Sequence, residues 1–200
     1  IFADKWGLKV TQRLGPEATE PTIRQDMPGE KILHFACHGI ADQEFGNLVG
    51  WLAFAPGKAG GLGDDGSLTL TELRDLDLRG CELAILSACQ TNFGPQQRGE
   101  GVWALSRGFL VAGARRVVAT NWSVSDESAS TLVSYFCHSL WEQKEQGEKL
   151  DYARALHLAK KLLNASENVC VANGQVMELG AFASLFPRSG NMERIEEFFC

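Results

Sequence analysis

Long apolar runs are missing from this 200-residue sequence, and so is any excess of basic residues. No run approaches the roughly 20 residues that a membrane-spanning helix needs, so we expect no membrane partner. The first ten residues include Asp4 and Lys5 within a weak apolar pattern, which argues against a secretory signal peptide. With 25 acidic and 19 basic side chains, the formal net charge is −6. We therefore expect no direct nucleic-acid partner.

Paired cysteines at metal-ligand spacing are missing too. The six cysteines form no CxxC pair, and the four histidines do not cluster with them. His34 and His38 are four residues apart, which on a strand separates them by about 13 Å. We therefore predict no metal site and no disulfide framework. Unpaired cysteines within apolar runs are typical of a reduced protein, so we expect a cytoplasmic location.

The common nucleophile and nucleotide motifs of α/β proteins are absent as well. The chain contains no GxSxG, no GxxxxGK[ST] and no GxGxxG after a strand, which argues against a hydrolase elbow or a nucleotide site. We expect no cofactor. The hydrophobic fraction of 44% fits one globular domain over residues 1–200, with 187–200 as a short tail. Because no Met begins the chain, we expect the domain to be excised from a longer protein.

What the sequence does contain is an alternation of short apolar runs with amphipathic segments. The runs predict buried strands at 31–37, 82–88 and 116–120, with an earlier strand at 8–14 and a late one at 180–186. The helical periodicity predicts helices at 101–112, 126–142 and 150–163. This alternation is typical of an α/β fold with a largely parallel sheet. The Gly-rich stretch 56–66 is expected to be a surface loop or hairpin tip.

Two of the predicted strands end in side chains with reactive chemistry. The run HFACHG ends at His38 and Gly39, and the run ILSACQT ends at Cys89. Ligands of open α/β sheets bind beyond the carboxyl ends of the strands. The 89 − 38 = 51 residues between the two leave room for a crossover between neighbouring parallel strands. His38 and Cys89 are therefore expected at one edge of the sheet if their strands are neighbours.

A cysteine beside a histidine can act as a nucleophile. A free thiol with a pKa of about 8.5 is only a few per cent ionised at neutral pH, and an imidazole can take its proton. The resulting tetrahedral intermediate needs backbone donors, for which the N–H groups of Gly39 and Cys89 are candidates. The alternative is that Cys89 is an inert packing residue, as buried cysteines usually are. Spacing alone does not decide between the two.

Three blocks of the sequence resemble the CHAT family of caspase-like, clan CD proteins. They are HFACHG, LTLTELRDLDLRGCELAILSACQT and GEGVWALSRGFLVAGARRVVATNWSVSDESA, in that order. The resemblance implies a caspase-like fold, a mostly parallel sheet flanked by helices on both faces. It also implies a cysteine endopeptidase with catalytic His38 and Cys89 and with oxyanion donors at Gly39 and Cys89. Its substrate would be a protein or peptide.

CHAT domains are similar to one another in being attached to tetratricopeptide repeats or other sensor modules. The resemblance therefore implies a sensor domain in the same protein and a peptidase that stays latent until the sensor is triggered. The alternative function is a regulatory or interaction module with a silent caspase-like site.

Residues near the two strand ends are candidates for substrate binding. Gln90 and Thr91 directly follow Cys89, and Trp122 follows the third strand, where it can wall a cleft. Asp126 has two interpretations. Its carboxylate can select a basic substrate side chain, or it can form a capping box with Ser123 for the next helix, which we favour.

The remaining histidine and cysteines near these blocks are predicted to be structural. His34 can orient the imidazole of His38, but a core histidine with a satisfied hydrogen bond is the favoured interpretation. The other cysteines are expected to be buried and inert; they are Cys37, Cys81, Cys137, Cys170 and Cys200.

Overall fold

The structure is a computed structural model. It describes residues 9–40, 50–58, 64–88, 96–97, 101–102, 105–121, 124–165, 171–172, 175–176 and 182–185. Across these ranges, no helix combines the length and the apolar composition that crossing a membrane requires.

Strands and helices alternate along the chain. The strands are β1 (Ile32–Phe35), β2 (His38–Ile40), β3 (Trp51–Ala53), β4 (Ser67–Thr69), β5 (Leu83–Leu86), β6 (Gln96–Gln97), β7 (Gly101–Val102), β8 (Val117–Thr120), β9 (Val171–Ala172), β10 (Gln175–Val176) and β11 (Phe182–Leu185). The helices are α1 (Glu20–Asp26), α2 (Leu70–Arg74), α3 (Leu105–Val111), α4 (Asp126–Glu145) and α5 (Tyr152–Ala165), preceded by one 3₁₀ turn at Gly15–Glu17.

The central sheet has the order β1-β5-β8-β11. β1, β5 and β8 pair in parallel, and β11 closes the far edge antiparallel to β8. All residues of β5 and β8 are buried, which explains why both read as continuous apolar runs. The prediction of a mostly parallel α/β sheet is confirmed.

Apolar side chains cover both faces of this sheet. On one face, Phe35 and Leu86 pack with Leu73 of α2 and Phe109 of α3. On the other face, residues of β5 and β8 pack with α4 and α5, the members being Leu83, Ile85, Val118, Leu132, Phe136, Leu156 and Leu163. Helices therefore flank the sheet on both faces, as the resemblance implied.

A second, three-stranded antiparallel sheet has the order β2-β3-β4. The connection between β3 and β4 contains the Gly-rich stretch 56–66, so the expectation of a hairpin tip is confirmed. Gly66 has a φ of +84°, and a Cβ there would lie 2.7 Å from the carbonyl oxygen of Phe54. Only glycine fits where the hairpin returns into β4.

Two of the predicted elements differ from the structure. Residues 9–14 form no strand, and their apolar members Val10 and Leu14 are 59% and 64% exposed, so the alternating pattern does not face the core. The helix predicted over 101–112 begins only at Leu105, because Gly101–Val102 pairs antiparallel with Gln96–Gln97. The late strand predicted at 180–186 is confirmed as β11, which runs antiparallel to β8.

Substitution of Phe109 measures how much core packing contributes to the free energy of unfolding. Its side chain is fully buried, and its ring centroid lies 5.4 Å from that of Phe35 in β1. Phe109→Ala should lower the free energy of unfolding by about 3–5 kcal/mol, measured by urea denaturation. Val111→Ala is the matched control in the same helix, where a 54% exposed side chain should cost within about 0.5 kcal/mol. Equal losses in the two variants would contradict this packing.

Candidate active site

The register of β1 against β5 relates the sequence positions of His38 and Cys89. The strands are parallel, and Phe35 is the register partner of Leu86. The pairing continues one step further, because the Ser87 N–H donates to the Phe35 carbonyl at 2.8 Å. His38 follows Phe35 by 38 − 35 = 3 residues, and Cys89 follows Leu86 by 89 − 86 = 3. Both therefore come shortly after the carboxyl ends of neighbouring parallel strands.

The structure describes only one side of the predicted dyad. His38 and Gly39 are described, whereas Cys89, Gln90, Thr91 and Trp122 lie outside the described residues. The chain leading to the cysteine is described as far as Ala88, which is buried at 2% exposure.

His38 belongs to a strand of its own rather than to the end of β1. β1 ends at Phe35, and His38 begins β2, where it is the register partner of Ala53 in β3. The strand predicted at 31–37 therefore ends at Phe35, and His34 and His38 lie on two different strands. The His38 side chain is exposed.

The backbone of Gly39 faces away from β3. The N–H of Phe54 donates to the carbonyl of Gly66 at 2.8 Å, so these two residues form a hydrogen-bonded pair between β3 and β4. Bonded and non-bonded pairs alternate in an antiparallel ladder, so Leu52 also directs its N–H toward β4. Gly39 is the partner of Leu52 on β2 and occupies a non-hydrogen-bonded position. Its N–H therefore points outward from this sheet.

A partly buried ion-pair network fixes the base of the β3–β4 hairpin. Glu20 of α1 is fully buried, and its Oε2 accepts the N–H of Gly66 at 3.1 Å. Arg24 donates to Glu20 Oε1 at 3.3 Å and to Glu72 Oε1 at 3.2 Å. The backbone adds to this junction, since the Glu20 N–H donates to the Ala55 carbonyl at 3.3 Å. Together these contacts attach α1 and α2 to the sheet that contains His38.

The groups around Glu20 shift the pKa of its carboxyl. Burial raises the pKa of Glu20 above its usual value, and the nearby carboxylate of Glu72 raises it further. The hydrogen bonds from Arg24 and from the Gly66 N–H oppose the rise. Because the net shift is upward, the folded protein favours the protonated carboxyl more than the unfolded chain does.

His34 is exposed, so its prediction as a core residue is wrong. β1 is an edge strand, and its outer residues Ile32 and His34 are both exposed, while Leu33 and Phe35 are buried. The ring is nevertheless hydrogen-bonded, with Nε2 lying 3.1 Å from Ser87 Oγ. Surrounding protein atoms remove enough water from the ring to lower the pKa of His34. The hydrogen bond thus links the end of β1 to the segment that leads to Cys89.

The three described cysteines outside the predicted site are free thiols. Burial raises the pKa of Cys37 to about 12 and that of Cys137 to about 11. It raises the pKa of Cys81 as well. A raised pKa makes a thiol a poor nucleophile at neutral pH. Of the cysteines predicted to be buried, Cys81 is buried and Cys37 and Cys137 are half-buried, while Cys170 and Cys200 lie outside the described residues.

Asp126 lies at the start of α4 with an exposed side chain. The cap is Ser125, whose hydroxyl accepts the N–H of Ser128 at 3.2 Å, so the predicted capping box between Ser123 and Asp126 is wrong. Asp126 still lies in the first turn, where a negative charge is favourable next to the helix N-terminus.

Sequence reasoning missed the structural role of Glu20. Its spacing to Arg24 is the i,i+4 spacing of a helical ion pair, but such pairs are usually exposed and add little. The burial of Glu20 against the β3–β4 hairpin distinguishes this ion pair from an ordinary exposed one. Within the part of the chain that the structure describes, no group of three His, Cys, Asp or Glu residues is arranged to hold a metal ion.

Comparison with known proteins adds one finding. The family model described as the CHAT domain matches residues 5–173. No curated protein is similar enough to the chain to count as a match.

The raised pKa of Glu20 predicts how the stability of the protein depends on pH. The sign follows from the raised pKa: its contribution to stability is fully present below the unfolded value of about 4.3 and is lost as pH rises through the folded pKa. The stability of the wild type relative to Glu20→Gln should therefore fall as the pH rises above about 4.3, measured by urea denaturation. In an Arg24→Met background the total fall should be larger, because losing the Arg24 hydrogen bond raises the pKa of Glu20 further. A relative stability that rises with pH would contradict the assignment.

Proposed function

The chain belongs to the CHAT domain family, and from that premise we propose that it is a cysteine endopeptidase in which Cys89 is the nucleophile and His38 the general base. The observation that supports this most is the register of the parallel pair. Phe35 and Leu86 are partners, and each is followed three residues later by one member of the dyad. The exposed side chain of His38 is consistent with contact to a substrate.

The reaction assigns each proton to a named group. His38 takes the proton of the Cys89 thiol, and the thiolate forms a bond to the carbonyl carbon of the scissile peptide. The tetrahedral intermediate then breaks its C–N bond, and the imidazolium of His38 gives its proton to the leaving amine. In the second half, His38 takes a proton from water, and the hydroxide displaces Cys89 from the thioester. Proton transfer back to the sulfur regenerates the free thiol.

The tetrahedral intermediate requires donors for its oxyanion, for which we propose the N–H groups of Gly39 and Cys89. Gly39 supports this role in two ways. Its N–H points away from β3, so the small sheet does not use it, and its lack of a side chain leaves room for a substrate. The Glu20 network attaches this sheet to the rest of the domain and thereby fixes the position of that donor.

Substrate selection is assigned to the segments that follow the strand ends. We propose that Gln90 and Thr91 contact the substrate backbone and that Trp122 walls the cleft. Asp126 would favour a basic side chain before the scissile bond. Its exposed carboxylate supports this role, because Ser125 and not Asp126 supplies the side-chain cap of α4.

We further propose that the domain is controlled by a tetratricopeptide-repeat or other sensor in the same protein and acts in the cytoplasm. The site would stay latent until that sensor is triggered. The competing function is a regulatory module with a silent site, and the reactivity of Cys89 distinguishes the two.

The nucleophile is tested by substitution. In the protein whose sensor has been triggered, Cys89→Ala should reduce cleavage of a proteome-derived peptide library, read by mass spectrometry of new termini, by at least about 10⁴-fold, because the covalent step is lost. Cys137→Ala is the matched control, since that thiol is half-buried on α4. It should cleave as the wild type does, and thermal unfolding should show both variants to be folded. Cleavage that persists in folded Cys89→Ala would refute the assignment.

Thiol labelling tests the dyad without a known substrate. A thiol with a pKa of about 12 is only about 10⁻⁵ ionised at pH 7, so Cys37 should react very slowly. In a background with Cys170→Ser and Cys200→Ser, iodoacetamide at pH 7 should label Cys89 at least about 100-fold faster than Cys37, Cys81 or Cys137. The preference should disappear in His38→Ala. Labelling of Cys89 no faster than Cys137 would favour the silent regulatory module.

A further inference from the structure

A buried hydroxyl group holds the peptide bond that precedes the predicted nucleophile. Thr120 is the last residue of β8 and is fully buried. Its Oγ1 donates a hydrogen bond to the carbonyl oxygen of Ala88, which is itself buried. Ala88 is the residue immediately before Cys89. The contact therefore joins the end of one central strand to the segment that follows its neighbour.

The position of this hydroxyl is unusual for an apolar strand. The other residues of β8 are Val117, Val118 and Ala119, all buried among hydrophobic side chains. A buried hydroxyl without a partner would cost free energy, so the bond to Ala88 satisfies a group that a valine would not introduce. The register between β5 and β8 pairs Ile85 with Val118, so this side-chain contact extends the connection between the two strands beyond their ladder.

The Ala88 carbonyl and the Cys89 N–H are two ends of one planar peptide group. In a trans peptide the N–H points opposite to the carbonyl, so a partner that fixes one also fixes the direction of the other. Donation to the carbonyl oxygen also polarises the group and strengthens its N–H as a donor. We propose that Thr120 is a positioning residue that orients the Cys89 N–H as an oxyanion donor. This inference rests on the proposed function, in which that N–H stabilises the intermediate.

Two substitutions separate the hydroxyl from the shape of the side chain. Thr120→Val keeps the branched shape and removes the donor, whereas Thr120→Ser keeps the donor and removes a methyl group. An effect that appears in Thr120→Val and is restored in Thr120→Ser belongs to the hydrogen bond rather than to packing.

The catalytic part of the inference is tested with two probes of Cys89. The aldehyde acetyl-Leu-Leu-argininal adds to the thiol and forms an oxygen that needs the oxyanion donors, whereas alkylation by iodoacetamide forms none. Affinity for the aldehyde, measured as protection of Cys89 from iodoacetamide, should fall by roughly 10- to 100-fold in Thr120→Val, a fraction of the loss caused by removing an oxyanion donor outright. The alkylation rate itself should stay at the wild-type value. Thr120→Ser should match the wild type in both.

The anchoring part is tested without any catalysis. The chain contains two Ala–Cys peptide bonds, Ala36–Cys37 and Ala88–Cys89. Labelling alanine carbonyls with ¹³C and cysteine amides with ¹⁵N therefore gives a two-peak carbonyl–amide NMR spectrum. Thr120→Val should move the Ala88–Cys89 peak and leave the Ala36–Cys37 peak in place, whereas Thr120→Ser should leave both near their wild-type positions.

The outcomes separate this inference from the proposed function. An unmoved Ala88–Cys89 peak in Thr120→Val, or equal aldehyde affinity in the valine and serine variants, would overturn the inference while the peptidase assignment stands. If the peak moves but Cys89 of the wild type shows no selective reaction, the peptidase assignment and the oxyanion role both fail, and only the anchoring is supported. A moved peak together with weakened aldehyde binding and normal alkylation supports the whole inference.

Discussion

The parallel pairing of β1 with β5 is the constraint on which the candidate site depends. The pairing runs through Phe35 and Leu86 and is continued by the bond from the Ser87 N–H to the Phe35 carbonyl. Because the strands are parallel, their carboxyl ends lie on the same side of the sheet. Leu86 is fully buried and Phe35 nearly so, which makes a shift of one residue costly, since it would exchange buried side chains for those of the opposite face.

Beyond these carboxyl ends the two halves of the site depend on different supports. His38 and Gly39 lie on a small antiparallel sheet, whose hairpin is held by the buried carboxylate of Glu20. The approach to Cys89 is held by Thr120 from β8, and His34 reaches Ser87 from β1. Because the two supports are separate, a small displacement of one of them would change the relation between His38 and the segment leading to Cys89 without disturbing the central sheet.

The fold was largely predictable from short apolar runs, for a simple reason. A strand buried on both faces must be apolar throughout, and β5 and β8 satisfy that condition at every residue. The same reasoning wrongly predicted a strand at residues 9–14, where the apolar side chains are exposed. It also wrongly predicted that His34 lies in the core. An edge strand leaves part of one face uncovered, and a sequence pattern does not show which strand lies at the edge.

The sequence by itself determined which residues are candidates for catalysis, because only certain side chains can transfer a proton or act as a nucleophile. The HFACHG and SAC blocks contain such residues in His38 and Cys89. It also determined the alternation of strands and helices, since local periodicity reports burial. The tertiary structure alone decided the register of β1 against β5, the separate strand of His38, the outward N–H of Gly39 and the burial of Glu20 and Thr120. Each of these depends on which distant segments become neighbours, and a hydrogen bond between residues 32 or 46 positions apart leaves no local pattern in the chain.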